Sequence, residues 1–390
     1  MTDPDPGNRF ERELAARKAI GRYRTLRETN PSIHPGRVEC NNRERINFSS
    51  NDYLGLSRHP HLLKKSREAV QQFGSSAASS RLLTGTQSLH RQVEERLARW
   101  MKCDRALLFS TGFQANATLL PALAGRGDVI IADKECHNSM LHGCLMSRAT
   151  LYRFRHNDLN HAETLLKKAR SNQDGAVWLV TESLFSMNGD HAPLDALQEL
   201  ALRYGAQLYV DDAHAFGVYG EEGRGVCFGR ESLGVVVTTF GKAAGSFGAA
   251  VFCSDLIAEF IINTCSGFIY TTALPPAIVG ALDAALDLIP AMDEERTRLL
   301  SNAEKVRRSI AEAGRVVVDG SSHIIPVVIG DDHETVRTAR ELEAQDLLVS
   351  AIRPPTVPEG SARLRISLTS DHTDEDIQKL ITALQPSDER

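Results

Sequence analysis

The sequence predicts an α/β fold built on a mostly parallel sheet. Three observations carry that expectation. Six short apolar runs, at 106–109, 129–132, 177–181, 208–210, 235–240 and 249–252, lack the in-out alternation of a strand that faces water. Between them stand helix-period stretches, Gln114 to Leu123, Ser139 to Met146, Leu159 to Ala169 and Leu194 to Arg203. The chain is also 390 residues long and 42% hydrophobic, enough for a large core.

Each element follows in chain order. Phe10 to Glu28 places Leu14, Ala15, Ile20, Tyr23 and Leu26 among many charges, which predicts one amphipathic helix. The apolar runs and their helices then alternate, as strands and covering helices of a parallel sheet do. After Pro275 and Pro276 a long helical region runs to about Ala313. Strands at 323–329, 347–352 and 363–368 and helices at 335–345 and 374–384 close the chain. The division expected is an N-terminal segment (1–45), a large α/β domain (46–285) and a small α+β domain (286–390).

Composition narrows the function. Lys+Arg number 45 against 50 Asp+Glu, a net charge of −5, so the clustered positive charge that nucleic acid demands is not expected. No apolar run approaches the ~20 residues that span a bilayer, and the start lacks the apolar core of a signal peptide, so a cytoplasmic protein without a membrane partner is expected. The seven cysteines are scattered and none is spaced as CxxC, which suggests neither a disulfide framework nor a structural metal site.

In a parallel sheet, ligands sit at the carboxyl ends of the strands, so the polar residues closing each run are the ones to weigh. Lys242 follows the run at 235–240 and stands among Thr239, Gly241, Gly245 and Gly248. A phosphate loop would need a glycine where Val236 stands. Asp211 and Asp212 close another run, with His214 two residues on. Those three could ligate a metal, or cap the next turn. A third reading pairs Asp211 with the protonated ring nitrogen of a cofactor, His214 with an oxygen on that ring, and Lys242 with its aldehyde, which describes pyridoxal phosphate. A lysine must be neutral for that bond, and a cationic ring beside it favours the neutral form. SerThrGlyPhe (110–113) closes the first run and opens a helix whose N–H groups suit a phosphate, and His137 stands at the expected start of another, where it can stack on the ring.

The segments INFSSNDYLGLS (46–57), LLFSTGFQAN (107–116), TESLFSMNGDHAPL (181–194), YVDDAHAFGVYGEEGRG (209–225), TTFGKAAG (238–245) and IRPPTVPEGSARLRISL (352–368) resemble the α-oxoamine synthases. These are fold-type I pyridoxal phosphate enzymes, similar in fold to aspartate aminotransferase. The resemblance runs from about Leu14 to Leu384. It implies that Lys242 carries the cofactor and then moves a proton, Asp211 pairs with its ring nitrogen, His214 contacts the ring hydroxyl and His137 stacks on it. It implies further that Gly112, Phe113, Ser186 and Thr239 help hold the cofactor, and that Thr271 or Thr272 reaches its phosphate across a homodimer interface. Arg365 would bind the amino-acid carboxylate, and Arg24 and Thr356 would line the acyl side. Glu182 and Asn51 are further candidates. IRPPTVP and TFGK lean toward members that join L-alanine to a pimeloyl thioester, of CoA or of an acyl carrier protein, in biotin formation.

One segment departs from the family. Where many members have a glycine-rich turn, this chain has SSAASSRLLTG (75–85), which bears on the acyl donor. A family member using another thioester or amino acid, such as an aminoketobutyrate ligase or an aminoketone signal synthase, is the alternative. A metal-dependent hydrolase built on Asp211, Asp212 and His214 leaves Lys242 unexplained, and a non-catalytic subunit would not need that lysine.

Overall fold

A computed structural model describes residues 6–172, 175–230, 233–318 and 320–385. Its contacts group the chain into two units, one of 52–186 with 191–296, the other of 1–51, 187–190 and 297–390. By these contacts the N-terminal stretch groups with the C-terminal one.

The larger unit holds a seven-stranded sheet. Its strands are β1 (Arg105–Phe109), β2 (Val129–Asp133), β3 (Thr150–Phe154), β4 (Val177–Glu182), β5 (Gln207–Asp211), β6 (Val235–Thr239) and β7 (Ala249–Cys253). Their order is β1-β7-β6-β5-β4-β2-β3. All neighbours are parallel except β7, which runs antiparallel to both β6 and β1. Strands β2, β4 and β7 are buried at every residue, as their unbroken apolar runs require. One core cluster joins Phe109, Leu119, Ile130, Trp178, Tyr209, Val237, Val251 and Phe268.

All six anticipated strands form within a residue or two of their runs. β3 was not anticipated, because TLYRF at the sheet edge mixes apolar and charged residues and stays half-exposed for most of its length. Helices Pro60–Phe73 and Ser88–Met101 also went unread. Within the second, Val93, Leu97 and Met101 recur at the spacing of one helix face and are buried.

In the smaller unit the first helix spans Pro6–Ala19 instead of 10–28. Gly21, at φ 71°, ends it: Arg22 N–H bonds Arg17 O and Gly21 N–H bonds Lys18 O, the paired bonds of a glycine stop. The long helical region after Pro275 is likewise interrupted, as a 3-10 turn containing Pro290 separates Pro276–Leu288, in the larger unit, from Asp293–Glu312. An antiparallel sheet joins Ile324–Gly330, Ala362–Ser367 and Ser350–Ile352, with helices Asp332–Ala344 and Asp374–Leu384. The run at 347–352, expected as one strand, divides. Leu347–Leu348 pairs in parallel with Ile46 and Asn47, while Ser350–Ile352 joins the antiparallel sheet. Among the described residues no helix is long and apolar enough to cross a membrane.

Two buried charge arrangements make testable statements. In the larger unit Arg81 and Glu94 form a bidentate pair, both contacts 2.8 Å, and Glu94 Oε1 also accepts the Leu108 N–H of β1 at 2.8 Å. Glu94→Ala strands a buried guanidinium and a strand N–H, so urea unfolding should show a loss of about 3–5 kcal/mol. In the smaller unit His372 is buried against Phe48, ring centroids 4.3 Å apart. Burial lowers its pKa from 6.5 to about 4 against the opposing charge of Asp376. Between those values the unfolded chain binds a proton that the folded chain refuses. Stability should therefore fall as pH drops from 6.5 toward 4, by about 3 kcal/mol from this ring. His372→Gln should flatten that part of the pH–stability curve.

Candidate active site

The carboxyl ends of β1, β2, β4, β5 and β6 each deliver a polar residue to one place. After β1, Thr111 caps helix Gly112–Leu123, its hydroxyl accepting the Gln114 N–H at 3.0 Å. The N–H groups of Gly112 and Phe113 find no partner among the described residues. They lie at the positive end of the helix, where an anion is favoured.

After β2, His137 begins helix Asn138–Met146 and accepts the Ser139 N–H through Nδ1. Its own N–H donates to Glu182 Oε1 at 2.6 Å, at the end of β4. Burial, reinforced by the Asp211 carboxylate, pushes the Glu182 pKa well up. Burial also lowers the pKa of His137, with Lys242 adding to that effect and Asp211 opposing it, so the ring favours its neutral form.

β5 ends in Asp211, only 7% exposed. Its Oδ1 accepts the Ala213 N–H at 3.0 Å and its Oδ2 accepts the Asn116 amide at 2.6 Å. His214 Nδ1 meets the hydroxyl of the fully buried Tyr53 at 2.7 Å. Asp212 turns the other way. Its Oδ2 faces the Cys227 N–H at 3.4 Å and lies 1.9 Å from where a Cβ on Gly225 would stand, so that glycine must lack a side chain. Burial raises the Asp212 pKa to about 7. Among the described residues no three His, Cys, Asp or Glu side chains gather as a metal set.

Lys242 lies in the turn between β6 and β7. Phe240 N–H bonds Gly248 O, Ser246 N–H bonds Phe240 O and Gly245 N–H bonds Lys242 O, each at 2.9 Å. Gly245 takes φ 59°, and a Cβ there would come within 2.4 Å of the Leu56–Ser57 backbone. The glycine thus lets this turn seat closely enough to fix the lysine.

These elements enclose a cavity of 240 Å³, lined by Thr111, Gly112, Phe113, Asn116, His137, Ser139, Glu182, Asp211, His214, Thr239 and Lys242. The structure therefore gathers seven of the expected residues, Gly112, Phe113, His137, Asp211, His214, Thr239 and Lys242, and with them Glu182. Ser186, Thr271 and Thr272 are in the same unit but do not line this cavity. Arg24, Thr356 and Arg365 belong to the other unit. There Arg365 is buried on strand Ala362–Ser367, bonding Ser367 Oγ at 2.8 Å and Asn51 Oδ1 at 3.3 Å. Arg24 lines a 540 Å³ pocket with Arg27, Arg340 and Arg353, and Thr356 is exposed.

Asn116, Ser139 and Tyr53 are site residues that the sequence reading missed. An asparagine within the apolar helix QANATLL was a legible signal, since a buried amide needs partners. Nothing in the sequence linked Tyr53 to His214.

Comparison with known proteins places this arrangement. Residues 43–384 match the family model for aminotransferase class I and II. An 8-amino-7-oxononanoate synthase from Gluconacetobacter diazotrophicus is 45% identical over 347 residues, covering 87% of each chain. Among solved structures, a serine palmitoyltransferase from S. paucimobilis with a bound PLP–myriocin aldimine is similar at TM-score 0.93 and 29% identity, over 98% of both chains. An 8-amino-7-oxononanoate synthase from Francisella tularensis is similar at TM-score 0.76 and 30% identity, over 87% of this chain and 96% of that one.

Proposed function

Because the chain belongs to the class I and II aminotransferase family, and within it to the α-oxoamine synthases, we propose that it is a pyridoxal phosphate dependent acyltransferase making 8-amino-7-oxononanoate. The reaction joins L-alanine to a pimeloyl thioester and releases carbon dioxide and the free thiol, a step of biotin formation. The observation that carries this reading is the convergence of Lys242, Asp211, His137 and His214 on one cavity.

The cavity suits the cofactor group by group. A buried carboxylate with two hydrogen-bond donors, Asp211, matches a protonated ring nitrogen. The unpartnered N–H groups of Gly112 and Phe113 match a phosphate. A neutral imidazole, His137, suits stacking on a ring, and Lys242 offers the amine for the aldehyde. Pyridoxal phosphate, when bound, supplies an aldehyde that binds the substrate amine and a ring that draws electrons from the α-carbon.

The chain's own residues do the rest. Asp211 would hold negative charge at the ring nitrogen, where that charge would favour the protonated form. Lys242 Nζ would hold the cofactor's aldehyde and, when released, would take the α-proton of the amino acid and return a proton later. His214, oriented through Tyr53, would donate to the ring oxygen. Thr239, whose hydroxyl bonds Gly248 O at 2.9 Å, steadies the start of the lysine turn. Ser186 would assist in holding the cofactor. Arg365, a planar bidentate donor, would take the alanine carboxylate, while Arg24 and Thr356 would line the acyl side.

The active form proposed is a cytoplasmic homodimer in which Thr271 or Thr272 of one copy reaches the phosphate held by the other. Its donor would be the thioester of CoA or of an acyl carrier protein. A second reading keeps the chemistry and changes the donor. It rests on Ala78, which adopts φ 54° in the segment where many relatives have glycine and so places an extra methyl group in that turn.

Lys242→Ala should abolish the absorption of the lysine-bound cofactor and lower turnover by about 10³-fold or more. Retention of either would overturn the role given to Lys242. Product mass after offering alanine, glycine or serine with thioesters of several lengths should peak for alanine with pimeloyl. A peak elsewhere selects the second reading.

A further inference from the structure

Asn116 is 1% exposed, one turn into the helix that follows β1. Its Nδ2 donates to Asp211 Oδ2 at 2.6 Å and to Ser139 Oγ at 3.0 Å, and its Oδ1 meets the Tyr209 hydroxyl at 2.8 Å. Ser139 Oγ is in turn 2.8 Å from His137 Nδ1. Five side chains from one strand and the starts of two helices thus form one connected path.

The direction of every bond on that path follows from one charge. An ionised Asp211 only accepts, so the amide must turn its nitrogen toward it. The second amide hydrogen then goes to Ser139, and the amide oxygen faces Tyr209. Tyr209 is fully buried, which holds its hydroxyl protonated and makes it the donor. Ser139, accepting from Asn116, keeps its own hydrogen for His137 Nδ1. Nδ1 is therefore an acceptor, and the ring hydrogen lies on Nε2. With a proton on Asp211, the amide could turn over and every side-chain bond would reverse: Tyr209 would accept, Ser139 would donate to Asn116, and Nδ1 would lose its hydroxyl donor at 2.8 Å and keep only the longer bond from the Ser139 N–H at 3.3 Å.

We propose that Asn116 is a positioning residue that couples the charge state of Asp211 to the tautomer of His137, with Ser139 as the relay to the ring and Tyr209 holding the amide oxygen. The site then presents an ionised carboxylate and an Nε2–H imidazole together. This deepens the functional reading given above, which assigns Asp211 and His137 to the cofactor, but the path itself consists of protein groups alone. The charged and titratable groups that face His137 are Asp211, Lys242 and Glu182.

The test is ¹⁵N spectroscopy of the full chain labelled at histidine, with and without pyridoxal phosphate, the His137 signal being assigned by its loss in His137→Asn. The native chain should show a single Nε2–H tautomer. Asn116→Ala should replace it with a tautomer mixture and shift the ring's titration. Ser139→Ala, which keeps the bond from Asn116 to Asp211, should do the same. Tyr209→Phe, in which Asp211 still turns the amide nitrogen toward itself, should keep the single Nε2–H tautomer. If Asn116→Ala does not fold, the serine variant decides. An unchanged His137 signal in folded Asn116→Ala and Ser139→Ala chains, or an Nδ1–H tautomer in the native chain, overturns the proposal. The cofactor-free spectra test the path alone, and cofactor binding tests the function, so the two can fail separately.

Discussion

Asp211 must stay ionised while almost wholly withdrawn from water at the end of a central strand. Desolvation opposes that charge, and isolated carboxylates in such places take up a proton instead. Here the strand end supplies the Ala213 N–H, and the helix after β1 supplies the Asn116 amide. The second donor ties the site to the sheet order, since Asn116 and Asp211 lie 95 residues apart in sequence. The central sheet and the site thus share one requirement.

The same carboxylate organises its neighbours by sign. Glu182, close enough to feel it, is pushed toward its neutral form, as two charges in one dry cavity would repel. Asp212, next in the chain, is directed away from the cavity and buried against Gly225 and Cys227. Three adjacent carboxyl groups thus divide into one charged member and two with raised pKa values. A lysine and a neutral imidazole complete the cavity without a second fixed anion.

Much of this was legible in the sequence because an unbroken apolar run ends where its strand ends. The first polar residue after each run, as in Asp211, Glu182 or Ser110, falls at the carboxyl end of the sheet, where the cavity lies. Lys242 was legible for the same reason, with glycines marking a close-packed turn. What stayed hidden depends on partners remote in sequence. Asn116 reads as a helix residue until Tyr209 and Asp211 surround it, and Tyr53 acquires meaning only beside His214. The N-terminal helix was read too long because its charge pattern continues past Gly21, although the stop lies in backbone geometry. The run at 347–352 was read as one strand because periodicity does not reveal a change of sheet.

The strand order has a consequence for biosynthesis. β1, the first strand of the large sheet to leave the ribosome, pairs only with β7, whose last residue is Cys253. At ~5–20 residues per second it waits roughly 7–30 seconds for that partner. Through that interval Leu107, Leu108 and Phe109, all buried in the finished fold, have no sheet to join. An unpaired apolar strand invites pairing with another chain. The strand order thus leaves this apolar segment of the nascent chain without its sheet partner until β7 arrives.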